Sequence, residues 1–555
     1  MRALVVAGTH GGVGCTWFTL GLLAALRRRG LTVQPLRLGP EPLDAGPYVA
    51  ACGREPINLD AWMAPGDLTR ALFNRRAAGA DVAVVEAAGG VFDGWDGGRA
   101  DGTGSAAEMA KLLGGLPVLL LLDGRSAVRS AAALIHGFTS FDPSLTFAGM
   151  LLNMVESEAH AQWMWDALSA ADVRLPLIGA LPFLPHLSLS AILSSPSSPT
   201  HSPPSSLLSS PLPDSLSSAS SPPVSPGPSP HLFSALADAV SHYVHIPRLL
   251  SACASILLPP PSFPLSSPGG AGGRRKVVRM GVARDAAFCL VYQENLLLLQ
   301  EAGAELVFFS PLVDPLPPRL NAVYLPGGRL APFAPRLSAN RQLRFGLRAF
   351  AAAGGLVLAE SAGTVFLAHS LQGTDGAEYP MCALLPFTAR ELHAPPAPSY
   401  CLVRPSLGSP LFDPTLAPIR GCLVAVAEFT PLRNHPAPPP APPQLQRPDL
   451  NGLCRAPHSL ASPLPHPPVP PSPAQPHSFP TELAFPSAVR RPLPARFPPG
   501  DAKDPLAGAA GAAGADGLGA VRREGVVVGG AVASQLHLCF ASNPCAAPAV
   551  IQHAL

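Results

Sequence analysis

Short apolar runs recur along the first third of the chain. LVVAG (4–8), DVAVVEAAGG (81–90), LPVLLLLDG (116–124) and FAGMLLNMV (147–155) have the length and composition of strands buried on both faces. Between them, WFTLGLLAALRRRG (17–30) and SAAEMAKLLGG (105–115) space their apolar residues at helical intervals and stop at glycine. Strands alternating with helices predict an α/β fold, a mostly parallel sheet with helices on both faces. The same alternation restarts at Val277. Strands are expected in VVRMGVARD (277–285), AELVFFSP (304–311), NAVYLPGG (321–328) and GLVLAES (355–361). Helices are expected in LVYQENLLLLQEAG (290–303) and RQLRFGLRAFAAAGG (341–355), and strand character returns in 525–544.

The proline content, 70 of 555 residues, cannot be absorbed by such elements. Residues 191–230 hold 16 Ser and 11 Pro, and 431–500 hold 23 Pro. Neither stretch has the apolar surface to offset its ordering entropy, so both are expected to be disordered. The resulting partition is a first domain over 1–190, a Ser/Pro linker over 191–230 and a helical segment over 231–257. A linker over 258–275 leads to a second domain over 276–430. A Pro-rich insertion over 431–515 then precedes the end of that domain, 516–555.

Charge narrows the function classes. Thirty-eight basic residues against 36 acidic ones give +2, which offers no drive towards nucleic acid or a membrane surface. No apolar run has the length of a membrane span. Ten scattered cysteines form no CxxC pair, so neither a zinc ribbon nor a disulfide framework is indicated. With a strand-like start in place of a leader, the expected location is the cytoplasm.

Candidate chemistry begins at Gly8-Thr9-His10-Gly11-Gly12-Val13-Gly14-Cys15-Thr16, a glycine-rich loop between a strand and a helix. Such a loop turns backbone N–H groups towards an anion at a helix N-terminus. The lysine of GxxxxGK[ST] would stand at Cys15. Thr16 keeps the hydroxyl that can meet Mg2+. Arg37, Glu41 and Glu86 sit at the ends of neighbouring strands, where metal or phosphate contacts belong in such a sheet.

Taken together, these segments resemble the cobyrinic acid a,c-diamide synthase family of corrinoid biosynthesis. The matching stretches include GTHGGVGCT (8–16), NLDAWM (58–63), VVEAAGGVFDG (84–94), VYLPGGRLAPFAPRLSANRQLR (323–344), AESAGTVFLA (359–368) and HLCFASNP (537–544). The resemblance implies a dethiobiotin-synthetase-like P-loop domain followed by a flavodoxin-like class I glutamine amidotransferase domain. It implies ATP, Mg2+, glutamine and cobyrinic acid or a related tetrapyrrole as ligands, and it is compatible with a homodimer. By that likeness Gly11, Gly12, Gly14, Cys15, Thr16 and Arg37 would face the nucleotide. Thr16, Glu41 and Glu86 would hold the metal, and Asp44 would lie near the corrin. Gly327 and Gly328 would form the oxyanion hole, and Ser361 and His537 would occupy the nucleophile and base positions.

The departures fall on the reactive groups. Cys15 replaces the loop lysine, Arg37 stands where lysine is usual and Glu41 where aspartate is usual. Ser361 replaces the cysteine nucleophile, and Cys539 follows His537 where another histidine is frequent. The expectation is an ATP- and glutamine-dependent carboxamide ligase with impaired catalysis. The alternatives are a non-catalytic corrinoid- or protein-binding homologue, and a Ser361/His537 hydrolase pair on the AxSxG elbow.

Overall fold

Strand β1 (Arg2–Gly8) shows how the first sheet is built. Ala3, Val5 and Ala7 enter one buried cluster, and Leu4 and Val6 enter another on the opposite face. A strand with both faces covered reads as one continuous apolar run, which is why the sequence signal was strong. The computed structural model describes residues 1–94, 102–125, 128–187, 230–257, 277–393, 399–403, 419–423, 426–431, 526–528, 531–534, 536–543 and 546–554. The two Ser/Pro- and Pro-rich stretches expected to be disordered lie outside them, apart from their edges. Both sheets belong to one compact unit, 1–445 with 523–555.

The first sheet holds β1, β2 (Val33–Leu38), β4 (Ile57–Leu59), β5 (Val82–Gly90), β6 (Val118–Asp123), β7 (Phe147–Val155) and β8 (Leu177–Pro182). Their order is β4-β2-β5-β1-β6-β7-β8, with all neighbours parallel. The short β3 (Leu43–Asp44) lies off this sheet. Six helices cover the faces: α1 (Cys15–Arg28), α2 (Gly46–Cys52), α3 (Gly66–Ala77), α4 (Ala106–Leu112), α5 (Ser130–Phe141) and α6 (Glu158–Ala170).

The helical segment expected over 231–257 differs from a single helix. It divides into α7 (Pro230–Tyr243) and α8 (Ile246–Ala252), because Pro247 cannot continue α7 and takes the first turn of a new helix instead. The segment ends in β9 (Ala254–Ser255), antiparallel to β1. Val240 and Leu236 of α7 pack into the cluster that holds α1, and Arg28 pairs with Asp238 at 2.6 Å. This stretch is therefore part of the first lobe rather than a separate segment.

The second sheet contains β10 (Val278–Ala283), β12 (Ala304–Phe309), β13 (Ala322–Leu325), β14 (Leu356–Glu360), β21 (Val526–Val528) and β22 (Ala531–Ser534), ordered β12-β10-β13-β14-β22-β21. Only β21 is antiparallel. Its helices are α9 (Gln293–Ala302), α10 (Ala334–Ala339), α11 (Arg341–Ala352), α12 (Ala362–Leu367) and α13 (Ala546–Ala554). β15 (Ser370–Gln372), β16 (Glu378–Pro380), β17 (Phe387–Glu391) and β20 (Ala427–Pro431) form a small sheet, and β18 (Ser399–Val403), β19 (Ile419–Leu423) and β23 (Leu536–Leu538) another.

The lobes are stitched by β11 (Leu290–Val291), which pairs antiparallel with β3. Polar contacts reinforce that seam. Arg284 meets Glu55 at 2.5 Å, the Tyr400 hydroxyl donates to Asp60 at 2.6 Å, and Tyr292 donates to the Pro40 carbonyl.

Candidate active sites

The loop after β1 lies where neighbouring strand connections leave on opposite sides of the sheet, β1 being flanked by β5 and β6. Ligands of open parallel sheets bind at such points. Gly14 precedes α1 with φ 91°, and a Cβ there would lie 2.4 Å from Asn153 Nδ2, so both conformation and space require glycine. Asn153 in turn donates to the Val13 carbonyl at 2.7 Å and fixes the loop from β7. No side chain caps α1 and its first turn carries no acid, which leaves its first N–H groups directed at the loop.

Thr16 Oγ1 donates to Glu86 Oε1 at 2.5 Å. Arg37, expected to lend charge to phosphates, is committed instead to Glu86, with a second bond to Thr16 Oγ1 at 3.1 Å. Tyr48 donates to Glu86 Oε2 at 2.8 Å. Glu86 is fully buried, so these three donors stand in for its lost hydration. Burial works against the Arg37 charge, but Glu86, Tyr48 and Glu41 outweigh it and raise its pKa. The Glu41 side chain is exposed and forms no hydrogen bond with Thr16 or Glu86 among the described residues. Its main-chain carbonyl is held by Asn58 at 2.6 Å.

Cys15 packs towards the cluster under α1. Burial pushes its thiol up to about 12, the Glu86 carboxylate adds to the shift and Arg37 opposes it. The position therefore carries no charge near neutral pH. Asp44, on β3 at the seam, accepts from the Gly46 N–H at 3.0 Å. Burial raises its pKa, opposed by that N–H, by Arg329, by the Cys289 thiol and by Arg284, three groups of the second lobe. His136 Nε2 donates to the Ala171 carbonyl at 3.0 Å, and His160 sits on the capping turn of α6, both structural roles.

The second site is an elbow. Ser361 joins β14 to α12 at φ 47°, ψ −109°, a conformation a non-glycine residue holds only under constraint from its surroundings. Its N–H donates to the Ser534 carbonyl at 2.7 Å, and Gly363 N–H donates to Pro326 at 3.1 Å, tying the elbow to the Gly327-Gly328 turn. A Cβ on Gly327 would fall 2.0 Å from His537 Cε1, so the imidazole lies directly over this turn.

His537, on β23, is fully buried, and neither ring nitrogen has a hydrogen-bond partner among the described residues. The Ser361–His537 hydrogen bond that a working pair needs is therefore not formed. Burial pushes the imidazole down to about 3. The group facing it is Glu360, with Oε2 3.8 Å from Nδ1. Burial raises Glu360 to about 7, while the Tyr324 hydroxyl at 2.7 Å and the Leu538 N–H at 3.0 Å oppose the shift. Both are neutral at mildly acidic pH. Glu360, like Tyr48 and Asn153, was not singled out from sequence. An acid at the end of an apolar strand, just before the elbow, was the available signal.

Two family models match the chain: the CobQ/CobB/MinD/ParA nucleotide binding domain over residues 4–193 and the CobB/CobQ-like glutamine amidotransferase domain over 279–392. A cobyrinate a,c-diamide synthase of Syntrophotalea carbinolica is 36% identical over 424 residues, covering 75% of this chain and 84% of the relative. The chain belongs to the cobyrinate a,c-diamide synthase family. The hydrogenobyrinate a,c-diamide synthase of Mycobacterium tuberculosis is 36% identical over 393 residues, 70% of this chain and 79% of the relative. The cobyrinate a,c-diamide synthase of Salmonella typhimurium is 34% identical over 390 residues, 69% and 77%. As a family member the chain thus combines a P-loop nucleotide-binding lobe with an amidotransferase lobe. No described helix is long and apolar enough to cross a membrane.

Proposed function

We propose that the chain amidates side-chain carboxylates of cobyrinic acid or a related tetrapyrrole at the expense of ATP, and that its own glutamine-hydrolysing step is impaired, so that free ammonia supplies the nitrogen. The observation carrying this reading is the contrast between the two sites. Around Thr16 the glycine loop still leads into an uncapped helix start, whereas at the elbow the nucleophile position carries a serine and the buried His537 ring nitrogens have no hydrogen-bond partner among the described residues. A hydroxyl, unlike a thiol, needs a base in contact to become a nucleophile.

In this reading the loop Gly11–Thr16 takes the phosphates through main-chain N–H groups. The hydroxyl of Thr16 and the carboxylates of Glu86 and Glu41 are hard oxygen donors of the kind Mg2+ accepts, and they would hold it once Arg37 yields its place on Glu86. Bound there, the ion would screen phosphate charge. Asp44, at the seam, would face the corrin substrate.

Purified protein given ATP, Mg2+ and cobyrinic acid should form amide with ammonium chloride and little or none with glutamine. Robust glutamine hydrolysis would overturn the impairment. A second reading, a non-catalytic corrinoid- or partner-binding homologue, is favoured by Cys15 and by the engagement of Glu86 with Arg37. It predicts corrinoid binding without Mg-ATP binding by calorimetry. Mg-ATP affinity that is lost in Thr16→Ala supports the enzyme.

A further inference from the structure

Glu360 closes β14 and stands beside Ser361 in the chain, yet it is only 1% exposed. Two other strands hold its carboxyl. Oε2 accepts from the Tyr324 hydroxyl of β13 at 2.7 Å, and Oε1 accepts from the Leu538 N–H of β23 at 3.0 Å. Leu538 is the residue after His537. Asn295 of α9 clamps the same stretch, donating to the Leu538 carbonyl at 2.6 Å and accepting from the Phe540 N–H at 2.8 Å. The backbone that carries His537 is thus tied both to this carboxyl and to α9.

The ring is as confined as its backbone. The Gly327 turn lies against Cε1, and Tyr292 stands edge-on with ring centroids 6.3 Å apart. Glu360 Oε2 is 3.8 Å from Nδ1, and no other carboxylate pairs with the imidazole among the described residues. That gap is too long for a hydrogen bond, and closing it to about 2.8 Å takes a shift of only about 1 Å.

An imidazole acts as a base through one nitrogen while the other holds its proton, and the partner of that second nitrogen decides which tautomer forms. We propose that Glu360 is the positioning residue of the elbow, accepting the Nδ1–H of His537 so that Nε2 is left bare to take the nucleophile's proton. In that step the Ser361 oxygen bonds to the glutamine side-chain carbonyl carbon, the carbon–nitrogen bond breaks, and the proton passes through Nε2 to the departing ammonia. The carboxylate itself exchanges no proton. The inference rests on the amidotransferase reading of this lobe and adds to it the group that orients the base.

Ionised, the carboxyl can only accept. Protonated, it donates to Nδ1 and leaves Nε2 without a free electron pair. Burial raises Glu360 to about 7, so the tautomer should change near that pH. The other titratable groups packed against the pair are Tyr324, Tyr292 and Cys422, the last opposite His537 on β19. Burial raises both tyrosines well above their ordinary value, so neither ionises in this range.

Glu360→Gln keeps the shape and changes the polarity. The Leu538 N–H is a fixed donor and retains the amide oxygen, so the amide NH2 turns towards Nδ1 as a donor. Nitrogen-15 histidine NMR of the full chain, with the His537 signal identified by its loss in His537→Asn, should show the Nδ1–H form at pH 8.5 and the Nε2–H form in Glu360→Gln. An Nε2–H form in the unaltered chain at pH 8.5, or one tautomer common to both proteins, would overturn the proposal. Should the variant fail to fold, the unaltered chain decides alone: its tautomer should invert between pH 5.5 and pH 8.5, and a fixed tautomer refutes the role. In a Ser361→Cys chain, adding Glu360→Gln should lower kcat for glutamine hydrolysis about 100-fold with little change in KM, and an equal kcat would overturn the proposal. A Ser361→Cys chain without turnover would count against the amidotransferase reading, and the tautomer would still decide the role of Glu360.

Discussion

Arg37 and Thr16 both bond to Glu86, so the carboxylate in the middle of β5 holds the first turn of α1 and the end of β2 in one knot. Removing one partner of a buried charge is more damaging than never having had the pair. Arg37→Met should therefore lower stability by about 3 kcal/mol in magnesium-free buffer, and Mg2+ should restore a larger part of it than it adds to the unaltered protein. Unfolding midpoints with and without MgCl2 check this. An unchanged response to Mg2+ would mean that Glu86 is not a ligand.

Because Cys15 is neutral, the phosphate loop lacks a fixed cation. Cys15→Lys places an ammonium beside Glu86 and the N-terminus of α1, and Mg-ATP should bind at least about tenfold more tightly, the scale of one charged contact in a shielded site. Titration calorimetry reads the change. Equal or weaker affinity would show that the loop does not receive the phosphates.

Ser361 already occupies the strained elbow that nucleophiles use. Its substitution is chemical rather than architectural. Ser361→Cys should raise glutamine hydrolysis by about tenfold or more, because a thiol gives up its proton far more readily than a hydroxyl and is intrinsically more nucleophilic. No rise would place the defect in the unpartnered His537 instead.

Much of this was legible in the residues. β1, β5, β6 and β7 are covered on both faces, and such strands announce themselves as apolar runs. The phosphate loop and the elbow are local, so their glycines and neighbours appear in order. What escaped were relationships across the fold. Glu360 meets His537 only because β14 and β23 converge, and Asp60 meets Tyr400 across 340 positions. Nor does composition distinguish an arginine aimed at phosphate from one held by Glu86. The tail of the helical segment became β9 because the free edge of β1 near Arg2 needed partners, a tertiary demand with no local trace.

The Gly327 turn gives a steric test. Any Cβ there would overlap His537, whose ring is locked at 0% exposure and cannot move aside. Gly327→Ala should cost about 3 kcal/mol, at the upper end for overpacking, and lower the urea midpoint of unfolding. A midpoint within error of the unaltered protein would show that the imidazole does not sit over the turn.

The buried acids set the pH dependence. Burial raises Asp60 to about 6, and Glu294 and Glu360 to about 7, from carboxylate values near 4. Between those limits the folded chain binds more protons than the unfolded one, so each group's contribution to stability is present at low pH and is lost as pH rises through its folded value. His537, pushed down to about 3, acts oppositely, since the unfolded chain binds its proton between about 3 and the ordinary histidine value. Three carboxyls outweigh one imidazole above about pH 5, and above pH 6.5 the histidine no longer contributes. The unfolding midpoint should therefore fall by several degrees from pH 5.5 to pH 8, and Glu360→Gln should flatten the slope by removing one proton from the balance. A midpoint that climbs across that range would mean that these carboxyls are ionised in the folded chain.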